Sequence, residues 1–166
     1  MTATPRELAI IVDVANVMGA RADGWWKDRA GAARRLCQEV AALAARGLTA
    51  GELPEGVPAG ALDEGGPAWV LVLEGRAREA AASLSAEGSG SAQGDEPVSA
   101  SHHILAGSGG LARVLLAPGS GDDAIAREAA DLQGCRIVVT ADRELRRRCE
   151  HAGALVAGPR WLLRLL

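Results

Sequence analysis

The chain has 166 residues, of which 48% are hydrophobic, and 18 Lys and Arg stand against 21 Asp and Glu for a formal charge of −3. That length holds one domain or at most two, and the balance excludes wholesale disorder. The acidic net charge also excludes a polycation that coats nucleic acid with its whole surface, so any such contact must come from a local patch.

No apolar run approaches the ~18–20 residues that a membrane helix needs, and the opening residues Met1–Arg6 do not read as a leader. The three cysteines, Cys37, Cys135 and Cys149, show no CxxC spacing, which argues against a disulfide framework or a structural zinc site. They read as small buried hydrophobes of a protein in a reducing cytoplasm. Phe and Tyr are absent, Lys27 is the sole lysine and Asn16 the sole asparagine. This skew fits a GC-rich coding sequence better than a function.

In chain order, Leu8–Val14 is a nearly continuous apolar run, the mark of a strand buried on both faces. It leads into Asn16 and a loop from Gly19 to Trp26. Asp28 can cap a helix that runs to Arg46 with Ala33, Leu36, Val40 and Leu43 on one face, and Gly47 sits where a helix stops. Residues 48–67 are rich in Pro and Gly and read as loop. Trp69–Leu73 is a second buried strand closed by Glu74, and Arg76–Leu84 a short helix. Residues 85–101 are of low complexity and read as a flexible insertion. Leu111–Leu116 is a third strand, residues 122–132 a helix, Arg136–Thr140 a fourth strand and Arg143–His151 a helix. Ala154–Ala157 is a brief fifth strand before a final helical turn over Arg160–Leu166. Strands alternating with helices predict an α/β fold, a single domain over 1–166 with a parallel sheet and helices on both faces.

The acids follow this pattern. Asp13 and Glu74 end the first two strands, Asp122 and Asp123 open the helix after the third, and Asp142 follows the fourth. In an open parallel sheet the C-terminal strand ends share one rim, where ligands bind. Carboxylates crowded there would raise one another's pKa unless a cation neutralised them, and hard oxygen donors favour Mg²⁺ or Mn²⁺. One or two such ions activate water and clamp phosphate oxygens during in-line attack on a phosphodiester.

Three blocks carry a family resemblance. IVDVANV (11–17), GSGDDAIAREA (119–129) and VVTADREL (138–145) resemble the PIN-like nucleases, in particular the bacterial NYN-type branch. The resemblance implies a central sheet of order 3-2-1-4-5, a Mg²⁺ or Mn²⁺ site and hydrolysis of RNA by metal-activated water. By position it makes Asp13, Asp122 or Asp123, and Asp142 metal ligands, with Glu74 assisting. Asn16 joins the catalytic group and Thr140 orients substrate or carboxylates. It implies RNA, single-stranded, as the partner, no membrane, and either a homo-oligomer or a further protein partner. Glu74 stands where many relatives carry Asp, and the 85–101 insertion departs from the family pattern. Trp25 to Arg29 (WWKDR) resembles a local signature of actinobacterial members.

Each residue also has a plainer reading. Asp13 and Asp142 can cap the turns that follow them, and Asn16 can close an Asx turn. Of Asp122 and Asp123, one is expected as ligand and one as cap or outer acid, with Asp123 favoured because it directly precedes Ala124 and Ile125. Arg143, Arg146, Arg147 and Arg148 form either a phosphate patch or a solvated face, with Leu145 and Cys149 packed inward. Arg76 and Arg78 stand better for substrate phosphates. Trp25 or Trp26 can stack a base, while at least one of them packs as core. His102 and His103 read as surface residues. The glycines around Ser120 form no nucleotide-binding signature. Two competing functions stay open: hydrolysis of free nucleoside triphosphates, and a degenerate module that binds RNA or protein without catalysis.

Overall fold

The computed structural model describes residues 8–85, 102–105, 108 and 111–166. In chain order these form β1 (Leu8–Asp13), α1 (Val14–Gly19), α2 (Arg29–Arg46), β2 (Ala68–Leu73), α3 (Ala80–Ser85) and β3 (His102–Ile104). β4 (Ala112–Leu116), α4 (Gly121–Asp131), β5 (Cys135–Val139), α5 (Arg143–His151), β6 (Leu155–Ala157) and α6 (Pro159–Leu163) follow. Single 3₁₀ turns stand at Trp25–Lys27, Ala50–Glu52 and Gly75–Glu79.

The sheet runs β3-β4-β2-β1-β5-β6. Its five parallel strands, counted in chain order among themselves, stand as 3-2-1-4-5, the order expected, and the fold is α/β. β1 is central because all six of its residues are buried, which suits a strand covered on both faces and paired on both sides. β3 adds antiparallel to β4 at the outer edge. That strand is not evident in the sequence, where His102 and His103 adjoin a stretch without alternation.

Two apolar layers cover the sheet. On one face Ile10, Val12, Leu71, Leu73, Val114 and Val139 pack against Leu36, Val40 and Leu43 of α2, with Trp161 and Leu162 of α6. On the other, Ile11, Val70, Val72, Leu115 and Val138 meet Ile125 and Ala129 of α4 and Leu145 and Cys149 of α5. Helix α2 has the expected bounds. Asp28 Oδ1 accepts a hydrogen bond from the Gly31 N–H at 2.9 Å, and Gly47, at φ +84°, takes the left-handed turn that ends it.

The helix expected over Arg76–Leu84 is a 3₁₀ segment, Gly75–Glu79, followed by α3 from Ala80, and most other bounds shift by a residue or two. β1 stops at Asp13 rather than Val14, because Asp13 caps the next helix. That helix, α1, precedes the expected Gly19–Trp26 loop and is not evident in the sequence; six residues are too few for a helical period to show. The final helix starts at Pro159, whose fixed φ and missing N–H suit a first helical position. Cys37 and Cys149 are buried as expected, but Cys135, at the start of β5, is only half-buried. The predicted insertion at 85–101 lies, beyond Ser85, outside the described residues, as do residues 1–7. Among the described residues no helix is long and apolar enough to cross a membrane.

Candidate active site

Alternation along the strands brings the polar groups together. Ile11, Val72 and Val138 all face α4 and α5, so two residues further on Asp13, Glu74 and Thr140 stand on that same side at the C-terminal rim. The register agrees: Asp13 lies opposite Val72, and Val12 opposite Val139.

Asp13 is 8% exposed and Thr140 fully buried. The Thr140 hydroxyl donates to Asp13 Oδ2 at 3.0 Å, and the Asn16 backbone N–H donates to Asp13 Oδ1 at 3.3 Å. Thr140 Oγ1 in turn accepts from the Asp142 N–H at 3.2 Å. Asn16 Oδ1 accepts from the Ala141 N–H at 2.8 Å, which ties α1 to the turn between β5 and α5. Burial pushes the Asp13 carboxyl up to about 6, against the pull of its two hydrogen bonds, and the Asp122 and Glu74 charges add to the rise.

Asp142 and Glu74 hold helix ends. Asp142 Oδ1 accepts from the Leu145 N–H at 2.9 Å and caps α5. Glu74 Oε2 accepts from the Gly121 N–H at 2.6 Å, so Glu74 reaches across from β2 to the first turn of α4. Ser120, the residue before that helix, makes no side-chain cap bond. Gly121 permits the approach, since a Cβ there would stand 2.5 Å from Glu74 Oε2. Gly121→Ala is therefore expected to displace the Glu74 carboxylate, a flexible end that can move. Thermal stability should change by no more than about 1–3 kcal/mol, while the hydrolysis proposed below should fall much further. Melting curves and rates on the same preparation check this.

Asp122 and Asp123 part company. Ile125 and Ala129 define the buried face of α4 together with Gly121. At about 100° per residue, Asp122 stands beside that face and Asp123 about 160° from its middle. Asp123 is accordingly exposed and paired with Arg148 at 2.9 Å. Burial raises the Asp122 carboxyl, and the Asp142 and Glu74 charges raise it further against the pull of Arg148. The expectation that Asp123 is the inner acid is thus reversed: Asp122 belongs to the rim cluster and Asp123 to an outer ion pair.

Asp13, Glu74, Asp122 and Asp142 therefore share one rim, with Thr140 and Asn16 tying Asp13 to the turn that carries Asp142, and the other two acids felt through their charge. Among the described residues no three His, Cys, Asp or Glu side chains form, as they stand, a group that could hold a metal ion. In donor chemistry the four acids still fit a hard divalent cation, all offering carboxylate oxygens. No family model, curated protein or solved structure matches the chain.

A cleft of about 400 Å³ opens beside Glu74, between Met18, Trp25, Arg29, Arg76 and Gly119. Arg76, expected near substrate phosphates, does line it. Trp25 also lines it, but packs against the core with the Arg29 guanidinium 5.3 Å from its ring centre. The indole left in solvent is Trp26, 59% exposed. Arg143 opens α5 on its exposed side, whereas Leu145 and Cys149 point inward as expected. Lys27 and Arg29 entered the sequence reading within the WWKDR signature but not as site residues, although their place next to the two tryptophans, after a strand ending in Asp, was a usable signal.

Proposed function

We propose that the protein is a Mg²⁺- or Mn²⁺-dependent ribonuclease of the PIN-like kind, working at the carboxylate rim around Asp13. The observation that carries the reading is the setting of Asp13. It is a nearly buried carboxylate beside Asp122 and Glu74, and no described Lys or Arg pairs with it. A cap could be supplied by a neutral Ser or Asn without the cost of burying charge. A cation resolves that cost.

Asp13, Glu74, Asp122 and Asp142 are the residues that would hold one or two ions. Bound there, a divalent cation lowers the pKa of water and neutralises charge on a phosphodiester. The chain supplies the rest. Thr140 fixes Asp13 Oδ2 and Asn16 locks the neighbouring turn, so the reacting groups meet a preset frame. Arg76 stands in the adjoining cleft, where its guanidinium can take a phosphate oxygen.

Purified protein is expected to cleave single-stranded RNA with Mn²⁺ and not in EDTA. Saturating Mn²⁺, at ~100 times its dissociation constant, should stabilise the fold by about 2.7 kcal/mol. Differential scanning fluorimetry should register this as a rise in Tm of about 5–11 °C. Turnover of free nucleoside triphosphates with RNA left intact would replace the reading by the pyrophosphohydrolase alternative. Absence of both cleavage and metal-induced stabilisation would leave a non-catalytic module.

A further inference from the structure

A second hollow, of about 460 Å³, lies between Trp26, Lys27, Asp28, Arg29, Arg76 and Glu79, and it shares Arg29 and Arg76 with the cleft beside Glu74. The Trp25–Lys27 and Gly75–Glu79 turns thus border two adjoining hollows, a groove in two parts with Glu74 lining one and the exposed Trp26 the other. Each part matches the volume of a small-ligand pocket, so the whole exceeds one nucleotide.

Its charges are unequal in availability. Arg21, Arg46, Arg113 and Arg148 form ion pairs with Glu39, Glu52, Glu128 and Asp123, but among the described residues Lys27, Arg29 and Arg76 form none. Three acids also line the two hollows: Asp28 and Glu74 are turned to the first turns of α2 and α4 by their hydrogen bonds, and Glu79 is the third. Trp25 is held between the core and Arg29. Trp26 stands edge-to-face on it, with ring centres 6.1 Å apart and planes at 87°, and keeps its indole in solvent. An exposed aromatic ring among unpaired cations is how sequence-tolerant single-strand binders are built.

We propose that this groove is the path of single-stranded RNA to the carboxylate rim, an inference that rests on the hydrolase reading above. Trp26 stacks on a base, and Lys27, Arg29 and Arg76 take successive phosphates. Trp25 is the support that positions Trp26 and Arg29.

Binding is read apart from cleavage by fluorescence anisotropy of a labelled oligouridylate about 12 nucleotides long, in EDTA. Trp26→Ala is expected to weaken binding on the order of 10-fold, and Trp26→Phe to restore most of the loss. The dependence of log K on log salt should have a slope of about −2 for three phosphate contacts, and Arg76→Ala should reduce it by about 0.7. Wild-type affinity in both Trp26→Ala and Arg76→Ala would overturn the path, as would uridine monophosphate binding as tightly as the oligomer. Trp26-dependent binding without Mn²⁺-dependent cleavage would uphold the path while sinking the nuclease reading. Cleavage indifferent to Trp26 and Arg76 would do the reverse.

Discussion

Asn at position 13 should yield a protein that is more stable without metal and inert with it. The Asp13 carboxyl titrates at about 6 in the folded chain, against an ordinary value of 3.8. Ionising it in place therefore costs about 3 kcal/mol at neutral pH. The sign follows from proton binding. Between pH 3.8 and about 6 the folded state holds the proton more tightly than the unfolded chain. The contribution of this group to stability thus rises as pH falls from 7 through 6, and is complete below the unfolded value. Asp13→Asn removes that dependence and should gain about 1–3 kcal/mol at pH 7, after some loss in the bonds to Thr140 and Asn16. Urea melts in EDTA at pH 7 and pH 5 measure both effects. Cleavage should drop ~10²-fold or more, the scale for removing a charge-stabilising group at a reacting centre. Retained activity would show that the rim does no chemistry. A loss of stability in EDTA would show that the carboxylate is needed for its hydrogen bonds.

Asp122→Asn and Asp123→Asn should behave as opposites despite their adjacency. Neutralising Asp122 relieves repulsion with Asp142 and Glu74, so the metal-free protein gains stability while Mn²⁺ affinity falls on the order of 10–100-fold. Neutralising Asp123 breaks an exposed pair with Arg148. That pair is worth less than about 1 kcal/mol, and cleavage should stay near wild type. Mn²⁺ titrations followed by Tm, with rates on the same RNA, separate the two. Equal losses would mean that the phase of α4 does not sort the acids.

The central parallel strands were readable because a strand buried on both faces is apolar at every position, as Leu8–Val12 and Val70–Leu73 are. The bounds of α2 were readable from Asp28 and Gly47, which act locally. The assignment of Asp122 and Asp123 was not. Adjacency to Ala124 and Ile125 favoured Asp123, whereas the helical period places Asp122, three residues before Ile125, beside the buried face. Nor does any local pattern record Glu74 reaching Gly121, 47 positions later. The roles of the tryptophans were equally hidden. Adjacent indoles look alike in sequence, and only the packing of Trp25 under Arg29 leaves Trp26 outside. The motif blocks did bring Asp13, Asn16, Thr140 and Asp142 to one place, because each lies within a few residues of a strand end.

Glu74 and Asp142 each fasten a helix with one carboxylate oxygen while standing at the rim with the other. A side chain anchored in that way has surrendered its rotamer freedom when the chain folds, not when a ligand arrives. Entropy that a loose surface glutamate would lose on engagement is here already spent, and the helix ends act as the vice that grips it. Asp122, whose carboxylate accepts no hydrogen bond from a described residue, keeps its swing and is the acid whose ordering should accompany occupancy.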